Sequence, residues 1–282
     1  MFNPLSFLAR PYRRRLLYPF VSVALALSLI VGTPQVSQAI SWFDLIFQGV
    51  QIIQLSNISD RQEVEIGGQI NKQLVGNQFQ LYRNSDINRY VDQIGQRLAQ
   101  ESPRPNIPYT FQIVRDDSIN AFATMGGYVY VTTGLLAAAD NEAEVASVLA
   151  HETGHITERH SIKQMRQTAI ARGVAVAAGL DRSTLVNLGV ELALRLPNSR
   201  EDEFEADQVG LNILRQAGYA PSAMVKFMEK LNSRRSVPSF LSTHPATQDR
   251  INALKQAIEP TEANTGMGLN ESAYKAKIRP LL

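Results

Sequence analysis

Two imidazoles and a carboxylate stand together at His151-Glu152-Thr153-Gly154-His155. On a helix, four-residue spacing projects His151 and His155 from one face, so both can meet a single zinc ion at about 2.0–2.1 Å. Glu152 is turned by about 100° from His151 at 3.6 residues per turn. It can reach a water on the metal without itself being a ligand, and its expected role is general base. The chain has no cysteine. That removes thiolate ligands and nucleophiles together, leaving imidazole and carboxylate as the strong metal donors.

A catalytic zinc needs a third protein ligand and keeps one position for water. The extended pattern with a glycine three residues after His155 and a histidine three beyond it is absent, because Glu158 and Ser161 stand there. His160 lies about 140° around a continuous helix from His155, which predicts a place behind the site or at the surface. The remaining donors are the acids of Ser199-Arg200-Glu201-Asp202-Glu203-Phe204-Glu205-Ala206-Asp207. Helix spacing alone leaves Glu201, Glu203 and Glu205 all open as the third ligand.

These residues need elements to hold them. Asp140 is a candidate cap for a helix opening Asn141-Glu142-Ala143-Glu144, with acid in its first turn, and this helix carries the two histidines. Ser199 and Asp202 read as a capping box for a second helix running to about Gly218, with Pro221 just beyond. Ahead of both, Ile87, Tyr90, Val91, Ile94 and Leu98 repeat at helical spacing. Tyr109, Phe111 and Ile113 alternate as in a strand, and residues 121–132 read as a hairpin turning at Gly126-Gly127. Residues 169–196 are apolar in patches interrupted by charge, which predicts a helical insertion over the core. A further helix is expected from Pro221 to about Arg234, and the tail 259–282 looks irregular.

At 282 residues, with 44% hydrophobic and 19% charged content, the chain can bury one substantial core. Its formal charge of +2 offers no basic face for nucleic acid. Arg10, Arg13, Arg14 and Arg15, the apolar run Phe20 to Val31, and small residues ending at Ala39 read as a signal peptide over 1–39, directing export to a periplasmic or other extracytoplasmic compartment. Residues 40–60 follow as an amphipathic segment, in which Phe43, Ile46, Phe47, Val50 and Ile53 mark one face of a Trp42 to Ile58 helix. That face could dock on the core or touch a membrane surface.

The His151–His155 and Ser199–Asp207 stretches together resemble metallopeptidase family M48. Ile119-Asn120-Ala121-Phe122-Ala123 and Gly126-Gly127-Tyr128-Val129-Tyr130-Val131-Thr132-Thr133-Gly134-Leu135-Leu136 are similar to the family's strand-turn-strand ahead of its zinc helix, with Met125 where a proline is usual. The resemblance covers about residues 62–257. It implies an α+β, mainly helical zincin-like metalloprotease domain over 61–258, with a small β-sheet edge flanking the metal helix. It further implies one Zn2+ per chain held by His151, His155 and Glu203, with Asp207 orienting a zinc-bound imidazole. Unfolded or misassembled exported proteins are the implied substrates, lying along Asn120, Ala121, Phe122 and Ala123. The nearest branch by resemblance is the soluble periplasmic one without a tetratricopeptide domain. His244-Pro245 and Arg250 resemble the family's His-Pro element and its following arginine. His244 is expected either to steady the transition state or to latch the metal's open position, and Arg250 either to hold the oxyanion or to position the His244 loop. A chaperone or assembly factor for envelope membrane proteins, and a zinc amidase acting on cell-wall peptide, are the alternative functions.

Overall fold

The computed structural model describes residues 52–53, 55, 57–172, 180–195, 197–245 and 248–282. The expected signal peptide and most of the expected Trp42 to Ile58 helix lie outside these residues. The described end of that segment is not helical. Ile52–Ile53 forms strand β1, paired antiparallel with Leu180–Asp181, and adjacent β-branched residues favour that extended backbone.

From Ser59 onward the chain is mostly helical. Helix α1 spans Asp60–Asn77, opened by a Ser59–Gln62 capping box. Helix α2 spans Ser85–Gln100 and buries Ile87, Val91, Ile94 and Leu98, the periodic positions of the sequence. Strands β2 (Thr110–Val114), β3 (Ala121–Thr124) and β4 (Tyr128–Thr132) form a sheet of order β2-β4-β3. β2 runs parallel to β4, while β3 and β4 form the expected hairpin, leaving β3 at the sheet edge. Gly126 and Gly127 turn it at φ 80° and 96°, a region that glycine enters without strain.

The sheet separates two apolar clusters. Val129 and Val131 face the larger one with Phe111, Ile113 and α2, while Phe122 and Tyr130 face a smaller one with Ile66, Ile70 and Leu74 of α1. This is strand alternation used on both faces. After the short helix α3 (Thr133–Ala138), helix α4 (Glu142–Thr157) enters the larger cluster and is buried along nearly all its length. Helix α5 (His160–Ala171) leads into the insertion expected at 169–196, whose described part holds strand β5 (Leu180–Asp181) and helix α6 (Arg182–Arg195). Leu185, Leu188 and Leu192 of α6 are buried in the smaller cluster.

Helices α7 (Arg200–Gln216), α8 (Ser222–Asn232), α9 (Ser239–Thr243) and α10 (Gln248–Ala257) complete the far side. The tail departs from expectation: helix α11 spans Glu271–Ile278 and buries Tyr274 and Ile278 against the larger cluster. Tyr274 Oη donates to the Leu136 carbonyl at 2.6 Å. A short polar stretch hid a docked helix of about two turns. Among the described residues, no helix is long and apolar enough to cross a membrane.

Candidate metal centre

Helix α4 is capped by Asn141, whose Oδ1 accepts from the Glu144 amide at 3.0 Å. The cap therefore falls one residue after the expected Asp140. Asn141 has the extended backbone a cap requires, whereas Asp140 pairs with Lys230 at 2.5 Å. Helix α7 is capped by Ser199, accepting from the Asp202 amide at 3.1 Å. The two helices cross with their backbones nearly touching. A Cβ on Gly154 would stand 2.8 Å from the Ala206 carbonyl oxygen, and one on Gly210 would stand 2.9 Å from the Cα of His151. Only glycine at both places permits that approach.

The crossing brings the two helix faces together. His151, His155, Glu203 and His244 are all buried, and one ligand atom of each lies within 4.8 Å of all the others. His151 Nε2 is 3.1 Å from His155 Nε2 and 3.3 Å from His244 Nδ1. Glu203 places Oε2 3.5 Å from His151 Nε2, and Oε1 3.4 Å from His155 Nε2 and 3.0 Å from His244 Nδ1. A tetrahedral ion with zinc–nitrogen and zinc–oxygen bonds separates its ligands by about 3.4 Å. The donor set therefore fits zinc in kind and in spacing. Glu152 is fully buried beside this set, and neither of its oxygens accepts a hydrogen bond from the protein. Burying a bare carboxylate is costly, and the nearest group that could offset the charge is His244 Nε2, 3.4 Å from Glu152 Oε1.

The neighbouring acids separate in space. Glu201 and Glu205 line a groove between α7 and α10, and Glu205 bonds His160 instead of approaching the histidine pair. Asp207 Oδ1 stands 3.0 Å from His151 Nδ1. Arg250 is 2% exposed and grips both Asp207 oxygens at 2.7 Å, Glu203 Oε2 at 2.5 Å and the Pro245 carbonyl at 2.9 Å. It is aimed at the carboxylates and the His244 loop. His244 is buried, not on the exposed extended segment that Thr243 and Pro245 suggest on their own.

Charge within the site is set by competition between burial and partners. Burial raises the Glu152 carboxyl above its usual range, against the pull of His244 and His151. It would raise Glu203 and Asp207 as well. There the histidines around Glu203, and Arg250 and His151 beside Asp207, outweigh it and hold both carboxyls below the usual range.

Strand β3 runs past the site. Phe122, Ala123 and Thr124 line one cavity together with Glu152, His155 and His244. Asn120 precedes the strand and is tied to Thr132. Two further residues stand at the centre: Asn198, which sequence reasoning missed, and His160, which takes the first of its two expected places, behind the site. Asn198 places Nδ2 3.4 Å from His155 Nε2 and 3.3 Å from His244 Nδ1. His160 is buried, with Nδ1 2.8 Å from His155 Nδ1. Its angle had been read from a continuous helix, but Arg159 breaks that helix in a left-handed conformation, φ 58°.

The model of peptidase family M48 matches residues 85–258. The putative beta-barrel assembly-enhancing protease of Vibrio cholerae is 34% identical over 214 residues, which cover 70% of this chain and 44% of that protein. The beta-barrel assembly-enhancing protease of Escherichia coli is 30% identical over 244 residues, covering 80% of this chain and 50% of that protein. A mitochondrial metalloendopeptidase of Schizosaccharomyces pombe is 33% identical over 174 residues, covering 59% and 52%. The chain thus spans about half the length of the curated relatives it matches.

Proposed function

The chain belongs to peptidase family M48, a family of metallopeptidases, and from that premise we propose that it is a zinc-dependent endopeptidase acting on unfolded or misassembled exported proteins. The observation that carries the reading is the buried His151, His155, Glu203 set with the buried Glu152 carboxyl beside it, whose oxygens accept no hydrogen bond from the protein and whose nearest ionisable neighbour is His244 Nε2, 3.4 Å from Oε1. One zinc ion on these three ligands would polarise the scissile carbonyl and lower the pKa of a water. Glu152 takes the proton of the attacking water and returns it to the leaving amine, so no covalent intermediate forms. Asp207 orients the His151 ring, and Arg250 holds Asp207, Glu203 and the His244 loop in register. Substrate adds to the free edge of β3 by main-chain pairing, which suits a protease with many unfolded targets. The exported setting rests on the amino-terminal charge and hydropathy pattern, and the substrate class draws support from relatives named for β-barrel assembly.

For His244 the close approach of Nδ1 to Glu203 and His151 favours the latch over transition-state support: with a metal on the three ligands, this imidazole would compete with water for the remaining position. Hydrolysis of casein with and without a zinc chelator tests the whole reading. Glu152→Gln should keep its zinc and lose activity by several orders of magnitude, and His244→Ala should raise basal hydrolysis severalfold. Chelator-insensitive cleavage, or no cleavage even by the His244 variant, would sink it.

A further inference from the structure

The two ligand imidazoles are supported differently. His151 turns Nδ1 to a carboxylate, Asp207. His155 turns Nδ1 to another imidazole, the Nδ1 of His160, at 2.8 Å. Two ring nitrogens at that distance need one hydrogen between them, so one donates and the other accepts. Both ends of the contact select the same direction. His155 Nε2 lies among His151 Nε2 and Glu203 Oε1 and must be bare to bind a metal. Its hydrogen is then on Nδ1, and His160 Nδ1 accepts. That leaves the His160 hydrogen on Nε2, where Glu205 Oε2 waits at 3.0 Å and Asp202 Oδ1 at 3.6 Å. The reverse direction would put a hydrogen on His155 Nε2 and set a bare His160 Nε2 against the Glu205 carboxylate, two acceptors face to face.

The same logic disposes of a second cation at His160, Asp202 and Glu205, whose donor atoms also cluster. Such an ion would need His160 Nε2 bare, reversing the chain and disabling His155. Lys163 Nζ, 2.5 Å from Asp202 Oδ1, already supplies a positive charge there.

We propose that His160 is a positioning residue, through which Glu205 fixes the tautomer and orientation of His155 so that its bare Nε2 faces the metal. This rests on the reading of His155 as a ligand. Metal-bound histidines commonly donate their second N–H to such a partner, and losing that partner typically weakens metal affinity 10–100-fold. Here the partner is relayed by one imidazole, and the carboxylate at the end of the relay stands near the protein surface.

The test is the zinc dissociation constant of the full chain, measured by competition with a chromogenic chelator near neutral pH, alongside the unfolding midpoint of zinc-free protein. His160→Leu should weaken zinc about 10–100-fold. His160→Asn, whose Oδ1 can occupy the position of the ring Nδ1, should recover most of that loss, which a merely space-filling role would not produce. Glu205→Ala, on a partly exposed side chain that folding tolerates, should weaken zinc a few-fold. Because the two residues act in series, its effect should vanish in the His160→Leu background. Zinc affinity within twofold of wild type in His160→Leu, or a Glu205→Ala loss that adds in full to it, overturns the proposal. If His160→Leu does not fold, an unchanged zinc affinity in Glu205→Ala overturns it alone. Wild-type protein that binds no zinc, with His155→Ala indistinguishable from it, would instead remove the metal reading itself.

Discussion

His151 and His155 stand one helical turn apart, yet in the metal-free protein their rings are driven in opposite directions. Burial opposes charge on both. At His151 the Asp207 and Glu203 carboxylates outweigh it and raise the ring to about 9, whereas at His155 burial prevails over the Glu203 contact and the ring falls to about 3. Near neutrality, zinc must therefore displace a proton from His151 and none from His155. A raised pKa means that the proton is held until the pH passes that value. Apparent zinc affinity should thus rise about tenfold per pH unit on the acid side of the His151 value and level off above it. Calorimetry in buffers of different protonation enthalpy should register about one proton released per zinc. A flat affinity between roughly pH 6 and 8, with no proton released, would contradict this account of His151.

At the scale of elements, the centre depends on how closely α4 and α7 approach. Neither helix face is a site alone; Gly154 and Gly210 let them meet at backbone distance. A methyl on Gly210 must push against the His151 backbone at 2.9–3.0 Å, which should cost about 1–3 kcal/mol and move Glu203 away from the histidines. Gly210→Ala is therefore expected to lower both the unfolding midpoint of the zinc-free protein and its zinc affinity. Gly76→Ala on α1, where an added Cβ meets nothing within 4 Å, should instead stabilise by about 0.5–1 kcal/mol and leave zinc binding alone. Normal zinc affinity in Gly210→Ala would mean that the helix spacing does not set the ligand geometry.

At the scale of the whole molecule, the tail closes the larger core. Tyr274 and Ile278 are buried, Lys275 Nζ reaches the Ala139 carbonyl at 2.8 Å, and the Ala143 amide donates to Gly268 at 3.0 Å beside the start of α4. Tyr274→Ala should cost about 3–5 kcal/mol through the vacated core volume, read as a lower denaturant midpoint. A chain ending at residue 258 should lose at least as much, because it also strips α11 from Leu136. An unchanged midpoint in both would make the tail a passenger on the fold.

Local chemistry was legible from the sequence because it depends on neighbours along the chain. Two imidazoles four residues apart share a helix face, β-strand residues alternate, Ser199 caps, and the glycine pair turns the hairpin, whatever surrounds them. The resemblance to M48 added Glu203, His244 and Arg250 as expectations that spacing could not supply. What only the tertiary structure decided is every relation between distant segments. It separates Glu203 from Glu201 and Glu205, buries His244 beside His151 and Glu203, turns Arg250 toward Asp207, swings His160 back onto His155 and docks α11 on the core. Each of these follows from which helix faces meet and how closely, and that is settled by long-range packing, to which a local residue pattern is blind.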